Sequence, residues 1–187
     1  MSPGGFIFDI KGSSGFPDDE HLKAILCLLN SKVLRGYMSF LNPTMSFQVG
    51  DISEVPYAIR ESSKKELNDL ADKLIMQARY NWNSLEISCD FSIGENGFGK
   101  RIADFLELNK SNYFEMISEQ SLLETKVNKV LSVDYGLDNE IYPQVDTSEI
   151  TFHRADDIYT VERLISFGTG CLMGRYSLDK PGLILAS

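Results

Sequence analysis

LLNSKVLRGYMSFLNPTMSFQVGDISEVP, running from Leu28 to Pro56, is the stretch whose reading decides the fold. Together with the residues just before it, Leu26, Leu29, Val33, Tyr37 and Phe40 recur at steps of three and four, which predicts one buried helical face. Proline lacks a donor and disfavours helix at the preceding residue, so the helix should end near Asn42. Beyond Pro43, Phe47 and Val49 alternate with Gln48, the period of a half-buried strand over Ser46–Val49 that stops at Gly50-Asp51. The stretch holds no nucleophile, metal cluster or general base. It reads as an element that recognises a partner, not one that makes or breaks bonds.

Upstream, Phe6-Ile7-Phe8-Asp9-Ile10 reads as a strand and Gly12 to Pro17 as a turn. Neither GxGxxG nor GxxxxGK spacing occurs there, so the glycines form no phosphate cradle. Asp18, Asp19 and Glu20 favour the start of a helix by their charge, and His21 should face solvent. Downstream, Ser62-Ser63 followed by Glu66 is a capping-box pattern opening a long helix with Leu67, Leu70, Leu74, Ile75 and Ala78 on one face. Its lysines and glutamates read as a solvated face, and Trp82 as a core or interface anchor.

Gly94 and Gly99-Lys100 satisfy the first part of GxxxxGK[ST]. Arg101 stands where a magnesium-ligating hydroxyl belongs, so a glycine-rich connector is the better reading. From Arg101 to about Tyr135 the pattern is helical, with a polar break at Asn109-Lys110-Ser111-Asn112 and Gly136 as C-cap. An acidic loop follows, then a short extended piece at Ile150-Thr151-Phe152. His153 beside Asp156 and Asp157 is a weak metal signature, and a capping role for either aspartate fits better. A last helix spans Val161 to about Met173, where Gly170 and Gly174 suggest close approach of another backbone. The apolar tail Gly182–Ala186 should dock on the protein.

These elements predict a helix-rich α+β chain, a small mixed sheet packed by several long helices. The expected organisation is an α/β segment over 1–60, a long helix and its continuation over 61–93, the connector over 94–101, and a helical region with an acidic loop over 102–187.

An apolar fraction of 43% and a charged fraction of 24% are those of a globular protein. No apolar run approaches the roughly 20 residues that span a bilayer, and MSPGGF lacks the layout of a signal peptide, so a cytoplasmic protein with no membrane partner is expected. Cys27, Cys89 and Cys171, widely spaced among apolar neighbours, read as reduced core or near-core thiols. The net charge of −9 argues against strong nucleic-acid binding by the chain alone. The acid is uneven, however. Seven acidic residues face one arginine between Asp134 and Thr160, while residues 1–60 carry six acids and five bases.

GGFIFDIKGSS, the Leu28–Pro56 stretch, NWNSLEISCDF, VLSVDYGLDNEIYPQVD and ISFGTGCLMGRYSLDKPGLILA, in that order, resemble the C-terminal part of the adenine-specific DNA methyltransferases of the BREX phage-defence system, the PglX family. The first sixty residues also look like target-recognition domains of restriction-modification enzymes. The resemblance implies a parent enzyme that methylates adenine in double-stranded DNA from S-adenosylmethionine, flipping the base into a pocket. In that family an Asn-Pro-Pro-Tyr-type motif holds the base. Asn42-Pro43-Thr44 lacks the second proline and the aromatic, and no glycine-rich cofactor motif is present. The expectation is therefore a fragment or separate subunit with no catalytic residue, no metal and no cofactor of its own. Its implied partners are double-stranded DNA (weakly when alone), a catalytic methyltransferase domain and other phage-defence proteins.

Two readings follow. In the first, Lys32 and Arg35 contact phosphates, and Asn42, Thr44, Ser46 and Gln48 contact phosphates or base edges. Gln48 is slightly favoured, because an amide pairs with adenine through two bonds. In the second, the acidic stretch and the glycine-packed last helix bind other proteins, with little DNA contact. A nucleotide site at Gly94–Lys100 is a distant third.

Overall fold

Helix after helix makes up the computed structural model, which describes residues 14–42, 49–92, 101–153, 156–178 and 182–184. The first helix, α1 (Asp19–Leu29), opens with Asp19 and Glu20, as their charge favours. It does not run on into the next. Asn30 closes α1 through its backbone N–H on Leu26 and Cys27, and Ser31 starts α2 (Lys32–Leu41) as N-cap. The Ser31 Oγ accepts from the Leu34 N–H at 3.1 Å and donates to the Leu28 carbonyl at 2.7 Å. This break resets the helical phase. The expected face of Leu26, Leu29, Val33, Tyr37 and Phe40 therefore holds only in part: Val33 is in the core and Tyr37 packs on it, but Phe40 is 90% exposed and Leu29 lies open, while Ala24, Cys27, Leu28, Leu34 and Met38 are buried instead. The far end is as expected, with Asn42 as the C-cap.

The α+β expectation is wrong. Among the described residues there is no strand, and the fold is all-α. Val49, placed by alternation at the end of a strand, is the first residue of α3 (Val49–Ser53). Ile150–Phe152 is irregular, after a 3-10 turn at Thr147–Glu149. A two-residue alternation is too short to tell a strand edge from the entry to a helix, and Val49 is exposed at the start of α3, not half-buried as a strand residue would be. The other two pieces, Phe6–Ile10 and residues 46–48, lie outside the described residues, as does the connector at 94–100.

The expected long helix is α4 (Glu61–Asn83), but it starts ahead of Ser62-Ser63 and the Ser63 hydroxyl bonds Asp134 in place of capping; the 101–135 region is one helix, α5 (Ile102–Asp134), with no break at Asn109–Asn112. Asn and Ser cost a helix only tenths of a kcal/mol each. Contacts with α6 (Asp157–Leu172) hold the turn: Asn109 Nδ2 donates to Thr160 Oγ1 at 3.1 Å and Lys110 Nζ to Asp157 Oδ2 at 2.8 Å. Both α5 and α6 end in Schellman motifs on glycines of positive φ. Leu137 N–H bonds Ser132 O past Gly136, and Arg175 N–H bonds Gly170 O past Gly174.

The chain forms two compact units, Met1–Ile75 with Ser121–Asp146, and Met76–Gln120 with Thr147–Ser187. In the first, Ala24, Cys27 and Leu28 of α1, Val33 of α2, Leu67, Leu70 and Ala71 of α4, and Leu123, Val127 and Leu131 of α5 share one core with Ile59. Each fully buried leucine there contributes about 1.5–3 kcal/mol. Asn128 is satisfied at both ends of its amide, whereas the buried Asn68 Oδ1 has no partner among the described residues. Asn128 accepts from the Lys32 N–H at 2.8 Å and donates to Pro143 O at 3.1 Å.

The second unit packs Phe91, Phe167 and Tyr176 together, with ring centroids 5.3–5.9 Å apart. Gly170 is small because the Tyr176 ring, not another backbone, lies over it; a Cβ there would stand 2.4 Å from a ring carbon. Residues 182–184 dock by backbone bonds to Phe91, Cys89 and Arg175. Trp82, expected as an anchor, is exposed. The three cysteines are free, with Cys27 buried, Cys171 half-buried and Cys89 exposed. No helix among the described residues is long and apolar enough to cross a membrane.

Candidate functional site

Spacing along α2 puts the residues expected to meet DNA on one side of the helix. Lys32, Arg35 and Asn42 follow steps of three and seven, so Arg35 and Asn42 nearly eclipse and Lys32 lies one-sixth of a turn away. They are not equally available. The Lys32 ammonium donates to the Gln144 carbonyl, which draws its charge back onto the protein. Arg35 is exposed. Asn42 Nδ2 donates to Asp51 Oδ2 at 2.6 Å and so ties α2 to α3. Thr44, Ser46 and Gln48 lie outside the described residues.

A second basic surface of the same unit escaped the sequence reading. Between α4 and α5 runs an open groove of about 840 Å³ whose charged lining is Arg60, Lys65, Lys73, Lys126 and Lys129 against Glu66, Asp69 and Asp134. Asp134 is spent inside the fold. Its carboxylate is almost fully covered, accepts from the Arg60 N–H at 3.1 Å and from Ser63 Oγ at 2.9 Å, and stands 3.6 Å from Arg60 Nε. That braces the end of α5 against the first turn of α4. The four lysines are exposed, and among the described residues none has a hydrogen bond or ion pair. Lys65 and Lys73 are about 12 Å apart along α4, some three to four base-pair rises of duplex DNA.

The missing signal was one of distance. Lys65 and Lys73 looked like the solvated face of an amphipathic helix, and Lys126 and Lys129 lie more than fifty residues further on. Only the packing of Leu67, Leu70 and Ala71 on Leu123, Val127 and Leu131 turns the two lysine pairs into one groove.

The acidic stretch from Asp134 to Asp157 is less of a surface than its composition implied. Asp134 is buried, Asp156 Oδ1 caps α6 by accepting from the Tyr159 N–H at 3.0 Å, and Asp157 pairs with Lys110. The capping role expected for Asp156 or Asp157 is thus present at Asp156. Among the described residues no group of three or more His, Cys, Asp or Glu side chains is placed to hold a metal.

No family model matches the chain. Two curated proteins do. The adenine-specific methyltransferase PglX of Lacticaseibacillus casei (strain Zhang) is 31% identical over 194 residues, which is 99% of this chain and 16% of that protein. The adenine-specific methyltransferase BrxX of Escherichia coli O9:H4 (strain HS) is 31% identical over 206 residues, 98% of this chain and again 16% of its relative. The resemblance seen in the quoted segments therefore extends over almost the whole chain. The chain spans about a sixth of the length of these relatives.

Proposed function

We propose that this chain, matching one stretch of the PglX-type adenine-specific methyltransferases, is a non-catalytic part that holds duplex DNA for such an enzyme. The observation that carries the reading is the lysine groove. In a chain of net charge −9, four exposed lysines without partners among the described residues converge on one groove of the first unit. Glu66 and Asp69 share the groove, but among the described residues neither pairs with one of these lysines, which leaves them open to an external anion. Phosphate contacts of this kind fix register and orientation. Base edges are then read by other side chains, for which Arg35, Asn42, Thr44, Ser46 and Gln48 are the candidates, with Lys32 adding a phosphate contact. In this reading the methyl transfer, the flipped adenine and S-adenosylmethionine belong to another part of the relatives' length, and the partner is a catalytic methyltransferase domain.

The test is duplex-DNA binding by fluorescence anisotropy at several salt concentrations. Four lysine–phosphate contacts give a slope of log K against log salt of about −3.6, and replacing Lys65, Lys73, Lys126 and Lys129 by alanine should remove most of it. Salt-independent binding, or a slope unmoved by the quadruple substitution, overturns the proposal.

A second reading, docking onto another defence protein, has one observation in its favour. Ile158, Ile165 and Leu172 recur every seven residues on α6 and are 71%, 64% and 91% exposed. Capture of a purified partner subunit by the wild type and not by Ile165→Asp would support it.

A further inference from the structure

The second unit contains a cavity that the DNA reading does not use. It measures about 120 Å³ and is enclosed by the C-terminal turns of α4, the N-terminal half of α5, the start of α6 and His153. A cavity of 150 Å³ accommodates benzene, so this one suits a tetrahedral oxyanion with a water or two and is too small for a whole nucleotide.

Its chemistry is one-sided. In a chain with 27 acidic and 18 basic residues, the lining includes, among the described residues, a single charged side chain, Arg163, and no carboxylate. Arg163 is largely withdrawn from water. One of its terminal nitrogens donates to the Ser84 carbonyl, its Nε is buried without a partner, and its guanidinium lies 5.9 Å from the Phe91 ring centre and 5.8 Å from that of Tyr159. Among the described residues no carboxylate forms an ion pair with it. Glu86 is near enough to favour its charge but is not part of the lining, and one Glu86 oxygen accepts from Ser166 Oγ at 2.8 Å. A buried guanidinium with no direct ion pair is costly, and burial lowers its pKa despite the nearby Glu86 charge.

The amides complete the set. Asn81 Oδ1 accepts from the His153 N–H at 3.1 Å, which fixes that amide with its NH2 end left to donate. Asn83 Oδ1 bonds Ser88 Oγ at 2.8 Å, and Ser88 Oγ also accepts from the Asp90 N–H, so the serine is the donor and the Asn83 NH2 group is likewise left over. Asn112, on α5, has no hydrogen-bond partner among the described residues. His153 has its pKa lowered from the ordinary value by partial burial and by Arg163.

We propose that this cavity is a phosphate-group site, in which Arg163 supplies the charge and Asn81, Asn83 and Asn112 donate amide hydrogens to the oxyanion. The group comes either as inorganic phosphate or as the terminal phosphate of a nucleotide whose remainder stays outside the cavity, on the Tyr80 side. The inference is independent of the lysine groove, which belongs to the other unit.

Isothermal titration of the full chain at constant ionic strength, with inorganic phosphate, deoxyadenosine monophosphate and deoxyadenosine in separate arms, tests it. Saturable binding of phosphate below about 20 mM is expected. Comparable binding of the two phosphates identifies free phosphate as the ligand; tighter binding of the monophosphate identifies the nucleotide. Asn112→Asp places a carboxylate of almost the same shape in the cavity, at a side chain with no hydrogen bond to lose. It should weaken phosphate binding at least tenfold without lowering the thermal unfolding midpoint, since the new carboxylate also offsets the Arg163 charge. Arg163→Gln should abolish binding, although it also removes the bond to Ser84. The proposal is overturned if phosphate does not bind, if Asn112→Asp binds it as well as the wild type, or if deoxyadenosine binds as well as its monophosphate.

Discussion

Two glycines two residues apart on the same helix, Gly168 and Gly170, should respond to alanine in opposite directions. Both sit inside α6, where glycine costs about 1 kcal/mol relative to alanine. At Gly168 an added Cβ has nothing within 4 Å, so Gly168→Ala should stabilise the second unit by roughly that amount. At Gly170 the same Cβ stands 2.4 and 2.6 Å from two carbons of the Tyr176 ring. Carbon atoms rest at about 3.5–4.0 Å, so the ring must retreat by roughly 1 Å. Tyr176 is 4% exposed, stacked on Phe167 at 5.3 Å and tilted against Phe91 at 5.3 Å, and has nowhere to go. Overpacking of this kind costs about 1–3 kcal/mol. The helix term is common to both variants, so their difference isolates the clash: Gly170→Ala should be about 1–3 kcal/mol less stable than Gly168→Ala. Urea unfolding followed by circular dichroism measures the difference, and hydrogen exchange of the α6 amides localises it. In a Tyr176→Ala background the clash is gone, and Gly170→Ala should become neutral or stabilising. Equal stability of the two single variants in the wild-type background, with α6 protection unchanged, would refute the packing described for Tyr176.

Asp134→Ala removes two hydrogen bonds to a buried carboxylate at the first turn of α4 and should cost about 2–4 kcal/mol, with Asp134→Asn roughly half as severe; chemical denaturation checks the order. Burial pushes the Cys27 thiol up to about 11, so iodoacetamide at pH 8 should modify exposed Cys89 and leave Cys27 unreacted in the folded protein, as intact-mass measurement will show. His153, with its pKa lowered by burial and by Arg163, should titrate below the ordinary 6.5 in an NMR titration. The unfolded chain then binds the proton more readily than the folded one. The histidine therefore favours the folded state fully above pH 6.5, and that contribution is lost as pH falls from 6.5 through the folded midpoint.

Sequence alone settled whatever depends on a few neighbouring residues. Helix ends at Asn42 and Gly136, capping by Asp156 or Asp157, the acidic opening of α1 and the long α4 were legible, because caps and prolines act within one turn, but the last helix begins at Asp157 and not at Val161. So was the likeness to PglX-type methyltransferases, carried by whole segments. The phase of α1 and α2 was not legible, since one serine restarts the helix and moves Phe40 from the core to the surface. Nor was the absence of strands among the described residues, because Val49 fits an alternating pattern and a helix start equally well. Tertiary structure alone decided which charges are surface and which are scaffold. Asp134 looked like part of an acidic face and is buried beneath Arg60 and Ser63, while lysines more than fifty residues apart line one groove. A charge's availability depends on what packs beside it, and packing joins residues that the chain keeps far apart.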